Sequence, residues 1–300
     1  MREQANSNDW TIGAVLRRGA DSLRQAGVEE ANADAELLLL YLLGISKAKL
    51  LLDWRETMPE NKRAAWTEML ARKAAGEPAQ YIVGEQYFYG RRFEVTPAVL
   101  IPRPETELLA EAVLELGDRL WPPGSQAPAV LDVGTGSGAL SITLAAERPA
   151  WRVFASDLSP DALAMARNNA AKLGVIERIT FVQGDLLTPF MGAGSGYPPS
   201  DILVSNPPYI PSADIPGLQR EVRAHEPHLA LDGGTDGLNP YRAMASQLSS
   251  LSALPRVVAW EVGMGQAEDV AALLREAATW TEIRFVKDYA GIDRHVIAVL

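Results

Sequence analysis

From Thr11 to about Ala75 apolar positions recur at helical spacing. Ile12, Val15, Leu16 and Leu23 lie on one stripe, and ADAELLLLYLLG closes on Gly44, a residue suited to a helix C-cap. A third helix is expected over 61–75 (NKRAAWTEMLARKAA), with Gly76 ending it and Pro78 just beyond. No alternating run interrupts this region, so residues 1–76 read as a small helical domain for packing or substrate docking. Residues 77–96 are rich in aromatic and β-branched side chains around Gly84 and Gly90, which predicts a β-hairpin linker. Pro102 and Pro104 in VLIPRPETELL delay the next helix to about Glu105, making PRPETE a stiff lead-in to a helix N-terminus.

From Ala129 the period changes. AVLDVG, WRVFASD, RITFVQGD and DILVSNPPY read as strands, separated first by helices over 139–147 and 160–173. A helix near 240–250, the strand RVVAWEVG, a helix over 266–278 and the strands EIRFVKD and HVIAVL follow. Such alternation predicts an α/β domain over 97–300, a mostly parallel sheet with helices on both faces. Too few residues join the last two strands for a crossover helix, so they are expected to pair antiparallel. MGAGSGYPPS at 191–200 reads as a loose surface loop.

Composition narrows the class. The hydrophobic fraction of 47% is that of an ordinary globular protein, and with no cysteine there are neither disulfides nor thiolate metal sites. The start, MREQANSNDW, lacks the basic and apolar regions of an export signal. LLLLYLLGI at 37–45 is far short of the roughly 20 residues of a membrane span. A soluble, cytoplasmic protein is therefore expected. The net charge of −10 disfavours stable nucleic-acid binding, which needs clustered Lys and Arg.

Two segments carry chemistry. In LDVGTGSGALSI, Gly134, Thr135, Gly136, Ser137 and Gly138 join a strand to its helix; the glycines allow close approach of a ligand, and the helix start offers unpaired N–H groups. Asp157 ends the next strand, where such folds use a carboxylate for ribose hydroxyls. Ala139 keeps a dinucleotide reading open, but no dehydrogenase acid–base pair is evident. S-adenosylmethionine, cationic at sulfur, suits the carboxylates Asp132, Asp157 and Asp185 better, although Asp132 also reads as a merely solvated strand end.

The second segment, Asn206, Pro207, Pro208 and Tyr209, follows a strand and should face the same crevice. An amide-type nitrogen is a poor nucleophile. A side-chain carbonyl from Asn206 and backbone carbonyls from Asn206 and Pro207 could hold its N–H groups, while Tyr209 covers a planar group and the prolines add no competing donor. His225 and His228 in HEPH read as structural, and no metal is expected. Glu261 either lines the crevice or caps the helix opening at Gln266; DYAGIDR reads as a terminal hairpin turn.

Taken together, LIPRPETE, DVGTGSGALSI, SDLSPDAL, DILVSNPPYIP, EPHLALDGG and KDYAGIDR resemble the protein-(glutamine-N5) methyltransferases that modify peptide chain release factors, the PrmC/HemK group. The resemblance covers most of 79–300. It implies a class I S-adenosylmethionine-dependent methyltransferase, Rossmann-like, with a seven-stranded mixed sheet, an antiparallel last strand and a small N-terminal helical domain. It further implies methylation of the glutamine of the Gly-Gly-Gln motif in class I release factors, which tunes translation termination. By motif, Gly134 to Gly138, Asp157 and Asn206 would bind the donor, Asp185 or Leu186 would lie by the adenine, and Asn206 to Tyr209 would hold the glutamine. Leu186 stands where some relatives carry an aromatic. NPPY is shared with adenine-N6 methyltransferases, so a nucleic-acid adenine-N6 or cytosine-N4 methyltransferase is the rival reading. A non-enzymatic adaptor is a second, which an intact NPPY disfavours.

Overall fold

The computed structural model describes residues 10–300 except Ala193. The expected absence of an export signal therefore rests mostly on residues outside those described, as does one position of the expected surface loop. Within that loop, Tyr197 packs against Phe154 and Phe190, which anchors it to the body.

Two units divide the chain: the described residues to Gly84 together with Gln219–His225, and Glu85–Leu218 with Glu226–Leu300. The first unit is helical, with α1 (Ile12–Gln25), α2 (Ala31–Leu43), α3 (Lys47–Leu52), α4 (Glu60–Ala74) and α5 (Ala79–Val83). Helix α1 begins where the Thr11 hydroxyl accepts the Ala14 N–H, and α2 ends on Gly44 in the left-handed conformation. Their apolar stripes meet in one core containing Leu23, Leu38, Leu39, Leu50 and Trp66. Residues 79–83, expected as part of a hairpin, are helical. Pro78 pre-sets the N-terminus of that turn and Gly84 closes it at φ 77.

The second unit opens with the hairpin β1 (Glu85–Phe88) and β2 (Arg91–Glu94), followed by α6 (Pro104–Leu120) with proline at its first turn. Then come β3 (Ala129–Val133), α7 (Ala139–Glu147), β4 (Arg152–Asp157), α8 (Pro160–Lys172), β5 (Ile179–Gln183) and β6 (Ile202–Ser205). The short α9 (Arg220–His225) is counted with the helical unit. The chain ends with α10 (Asn239–Leu248), β7 (Val257–Glu261), α11 (Ala267–Ala277), β8 (Glu282–Lys287) and β9 (Asp293–Val299).

The seven strands of the main sheet run in the order β5-β4-β3-β6-β7-β9-β8. All pair parallel except β9, which is antiparallel to both neighbours. Both faces are buried, which is why β3, β6 and β7 are apolar almost throughout rather than alternating. Residues of α6, α7 and α8 pack one face, and those of α10 and α11 the other. The strand order reverses between β3 and β6, so their carboxyl ends open the crevice where ligands bind in such sheets.

In the helical unit, Lys73 is 1% exposed, and its ammonium lies 2.5 Å from Glu221 of α9 and 3.0 Å from Asp34 of α2. Burial raises the Asp34 pKa even though Lys73 opposes the shift.

Candidate active site

Strand β3 ends at Val133 and hands the chain to Gly134 and Gly136, whose φ values of 73° and 55° lie in the region that side chains disfavour. The N–H groups of Gly134 and Thr135 both donate to the Ser156 carbonyl at 2.9 Å, and Gly136 N–H donates to Asp157 Oδ2 at 2.9 Å. Asp157 Oδ1 accepts Ser159 N–H at 2.9 Å. Burial raises the Asp157 pKa, while these backbone donors pull it down. From behind, the buried Asn169 of α8 donates to the Ser137 carbonyl at 2.9 Å and binds both backbone groups of Glu94 in β2. The loop is thus held on two sides before any ligand arrives.

Asp132, in β3 beneath the loop, is 1% exposed, so it is not the solvated strand end that the sequence also allows. Its Oδ2 accepts the Thr135 hydroxyl at 2.6 Å and Ser141 N–H at 3.0 Å, whereas its Oδ1 is buried without a hydrogen-bond partner. Burial pushes its pKa up to about 6. An acceptor left this way favours a cationic ligand.

At the end of β6, Ser205 donates to the Val133 carbonyl at 2.7 Å, tying the two strand ends together. Asn206 follows. Its Nδ2 donates to Thr106 Oγ1 at 3.2 Å, and Thr106 in turn donates to Glu261 Oε2 at 2.7 Å. Thr106 comes from PRPETE at the start of α6, and Glu261, 2% exposed, ends β7. Across the sheet Glu261 pairs with His295, fully buried, whose Nε2 is 3.7 Å from the carboxylate. Beyond the prolines, Gln266 accepts Gly263 N–H at 2.9 Å and donates to the Tyr209 carbonyl at 3.0 Å, which fixes the exit of the segment.

These elements surround a cavity of about 600 Å³. Gly134, Thr135, Gly136, Ser137, Asp157, Asp185, Leu186, Asn206 and Pro208 stand in its wall with Asp132 and Thr106. Gly138 does not; it caps α7, where a Cβ would fall 2.6 Å from Ile142. Pro207 is buried, and Tyr209 packs beside Gly263 with its hydroxyl pKa pushed to about 12 by burial and by Glu261; neither lines the cavity. Leu186 adopts φ 49, an unfavourable backbone for leucine that is held where the wall needs it.

The N-terminal region matches the model of the PrmC N-terminal domain over residues 14–84, and residues 130–224 match a methyltransferase domain. Release factor glutamine methyltransferase of Bacillus cereus is 42% identical over 93% of this chain and 96% of its own. The enzyme of the same name from Moorella thermoacetica is 42% identical over 96% of both chains. This chain belongs to the release factor glutamine methyltransferase family. The Bacillus subtilis relative agrees, at 40% identity over 97% of this chain and 98% of its own. Among solved structures, the hMettl16 catalytic domain in complex with an RNA hairpin shares the fold, with TM-score 0.54 at 14% identity over 77% of this chain and 82% of that one.

Within this methyltransferase, sequence reading named the loop, Asp157 and NPPY but missed three supports. Thr106 was hidden inside a helix-start motif. Asn169 sits in a polar stretch of α8, and Gln266 reads in the sequence only as a helix opening. The sequence allows Glu261 as a crevice residue or a cap; in the structure it lies behind the wall, against Thr106. In HEPH, Glu226 is buried and accepts from Arg103 at 2.5 Å, while His228 is exposed. Among the described residues, no cluster of three or more His, Asp or Glu side chains is arranged to hold a metal ion, and no helix is long and apolar enough to cross a membrane.

Proposed function

We propose that this enzyme transfers the methyl group of S-adenosylmethionine to the side-chain amide nitrogen of the glutamine in the Gly-Gly-Gln motif of class I peptide chain release factors, in the cytoplasm, and so tunes translation termination. One observation carries the reading: Asn206 and Pro208 share a cavity with the glycine loop and Asp157.

The donor fits the residues present. Asp157 and the loop residues Gly134 to Ser137 would hold its ribose and amino-acid parts, with Gly138 only capping the helix behind them; Asp185 and Leu186 would lie by the adenine, and the unpaired Asp132 oxygen favours its positive charge. When bound, S-adenosylmethionine would supply a methyl already activated by its sulfonium: the S–CH₃ bond breaks as the C–N bond forms, S-adenosylhomocysteine is the leaving group, and the amide nitrogen loses one proton to solvent.

What remains for the protein is orientation. Asn206 Oδ1 accepts a glutamine N–H and fixes the nitrogen in the crevice, while the proline backbone cannot offer N–H groups that would compete for the amide. Alignment of a weak nucleophile can account for several orders of magnitude in rate, so no strong general base is required. The backbone carbonyl of Tyr209, held by the Gln266 amide, would fix the exit of the segment, and its ring, outside the wall here, is the proposed cover for the planar amide.

A radiolabelled-methyl assay offering release factor, DNA and RNA tests the substrate class. Label is expected only on the release factor, and none once its Gly-Gly-Gln glutamine is replaced. Label on DNA or RNA, or label that survives the replacement, refutes the reading. Asn206→Ala is expected to abolish transfer while leaving donor affinity nearly intact.

A further inference from the structure

The amide of Asn206 has two ends of similar shape and opposite function. Only the oxygen can accept an N–H from a substrate amide, and a rotation of 180° about the last side-chain bond would present a donor instead. The hydrogen bonds behind it decide which end faces the cavity. The Thr106 hydroxyl, which owns a single proton, donates it to Glu261 Oε2 at 2.7 Å. What Thr106 has left is lone pairs. The neighbouring Asn206 must therefore turn its NH₂ toward Thr106, which it does at 3.2 Å, and its oxygen faces away.

We propose that Thr106 and Glu261 are positioning residues that set the polarity of Asn206, making the site an acceptor for an N–H-bearing group. The inference rests on the reading of Asn206 as the residue that holds the substrate nitrogen. Burial strengthens it: Thr106 is 5% and Glu261 2% exposed, so little water reaches the pair to satisfy a flipped amide. Three separate elements supply the chain. Asn206 follows β6, Thr106 starts α6 and Glu261 ends β7, so the polarity is set by the fold and not by the local sequence.

Thr106→Val keeps the shape and removes the hydroxyl; Thr106→Ser keeps the hydroxyl. With saturating donor, Thr106→Val is expected to lower kcat by about 30-fold while the Kd for S-adenosylmethionine, measured by calorimetry, stays within about twofold. Thr106→Ser is expected to recover most of that loss. An unchanged kcat in Thr106→Val overturns the proposal, as does an equal loss in both variants. If Thr106→Val does not fold, as judged by thermal melting, Glu261→Gln carries the test. Its amide can accept or donate, so kcat should fall by about tenfold, and a parental kcat overturns the relay. Asn206→Ala run alongside separates the two claims: activity retained there defeats the role of Asn206 itself, whereas activity lost there but kept in Thr106→Val defeats only the relay.

Discussion

Asp157 and Gly136 share a 2.9 Å hydrogen bond in which the carboxylate accepts the loop N–H, so the residue expected to meet the donor's ribose also shapes the glycine loop. Asp157→Ala removes both functions. Donor affinity is expected to weaken by at least about tenfold, since a hydrogen bond to a charged group contributes roughly 1.5–3 kcal/mol. Isothermal calorimetry checks this, and an unchanged Kd would remove Asp157 from the binding of the donor.

Asp132 couples stability to pH. Its pKa is raised from the usual 3.8 to about 6 in the native state, so between those values the folded protein holds a proton that the unfolded chain has lost. Stability of the free enzyme should therefore fall as pH rises through this window, by about 3 kcal/mol in all from this group. Asp132→Asn keeps an acceptor for Thr135 and Ser141 but carries no charge to bury. It is expected to melt higher than the parent at pH 7.5 and to bind S-adenosylmethionine less tightly. Equal melting temperatures at that pH would count against the burial cost.

Asn169 satisfies three backbone groups, the Ser137 carbonyl and both polar groups of Glu94. Asn169→Leu leaves them without that partner at the back of the loop. The cost should be about 2–3 kcal/mol in urea denaturation, with donor affinity reduced as well because Ser137 belongs to the loop. A variant as stable as the parent would show that water or a shifted backbone replaces the side chain.

Lys73 sits between two carboxylates in the helical unit. Replacing it by methionine leaves Asp34 and Glu221 facing each other without a counter-charge, which should cost about 3 kcal/mol. Trypsin cleavage after Arg220 and Arg223 is expected to accelerate in Lys73→Met, since α9 loses the ion pair that holds it. Unchanged cleavage and melting would mean that packing alone retains the segment.

Much was legible in the chain because its periodicities are strong and local. Helical spacing gave α1, α2 and α4, apolar runs gave the buried strands, and the short connection between the last two strands required antiparallel pairing. Glycines at a strand–helix junction marked the loop for the same local reason, and NPPY named a backbone that cannot extend a sheet. The sequence could not show what faces what. Thr106 and Glu261 are separated by 155 positions, and only the closing of the sheet with α6 against it brings their side chains within 2.7 Å. Tyr209 follows Asn206 and Pro208, which stand in the cavity wall, yet lies outside it, because the Gln266 amide holds its carbonyl and Gly237 and Gly263 leave room for its backbone and ring. Local chemistry specified the parts; long-range packing, which no neighbouring residue encodes, chose their partners and the direction in which each one points.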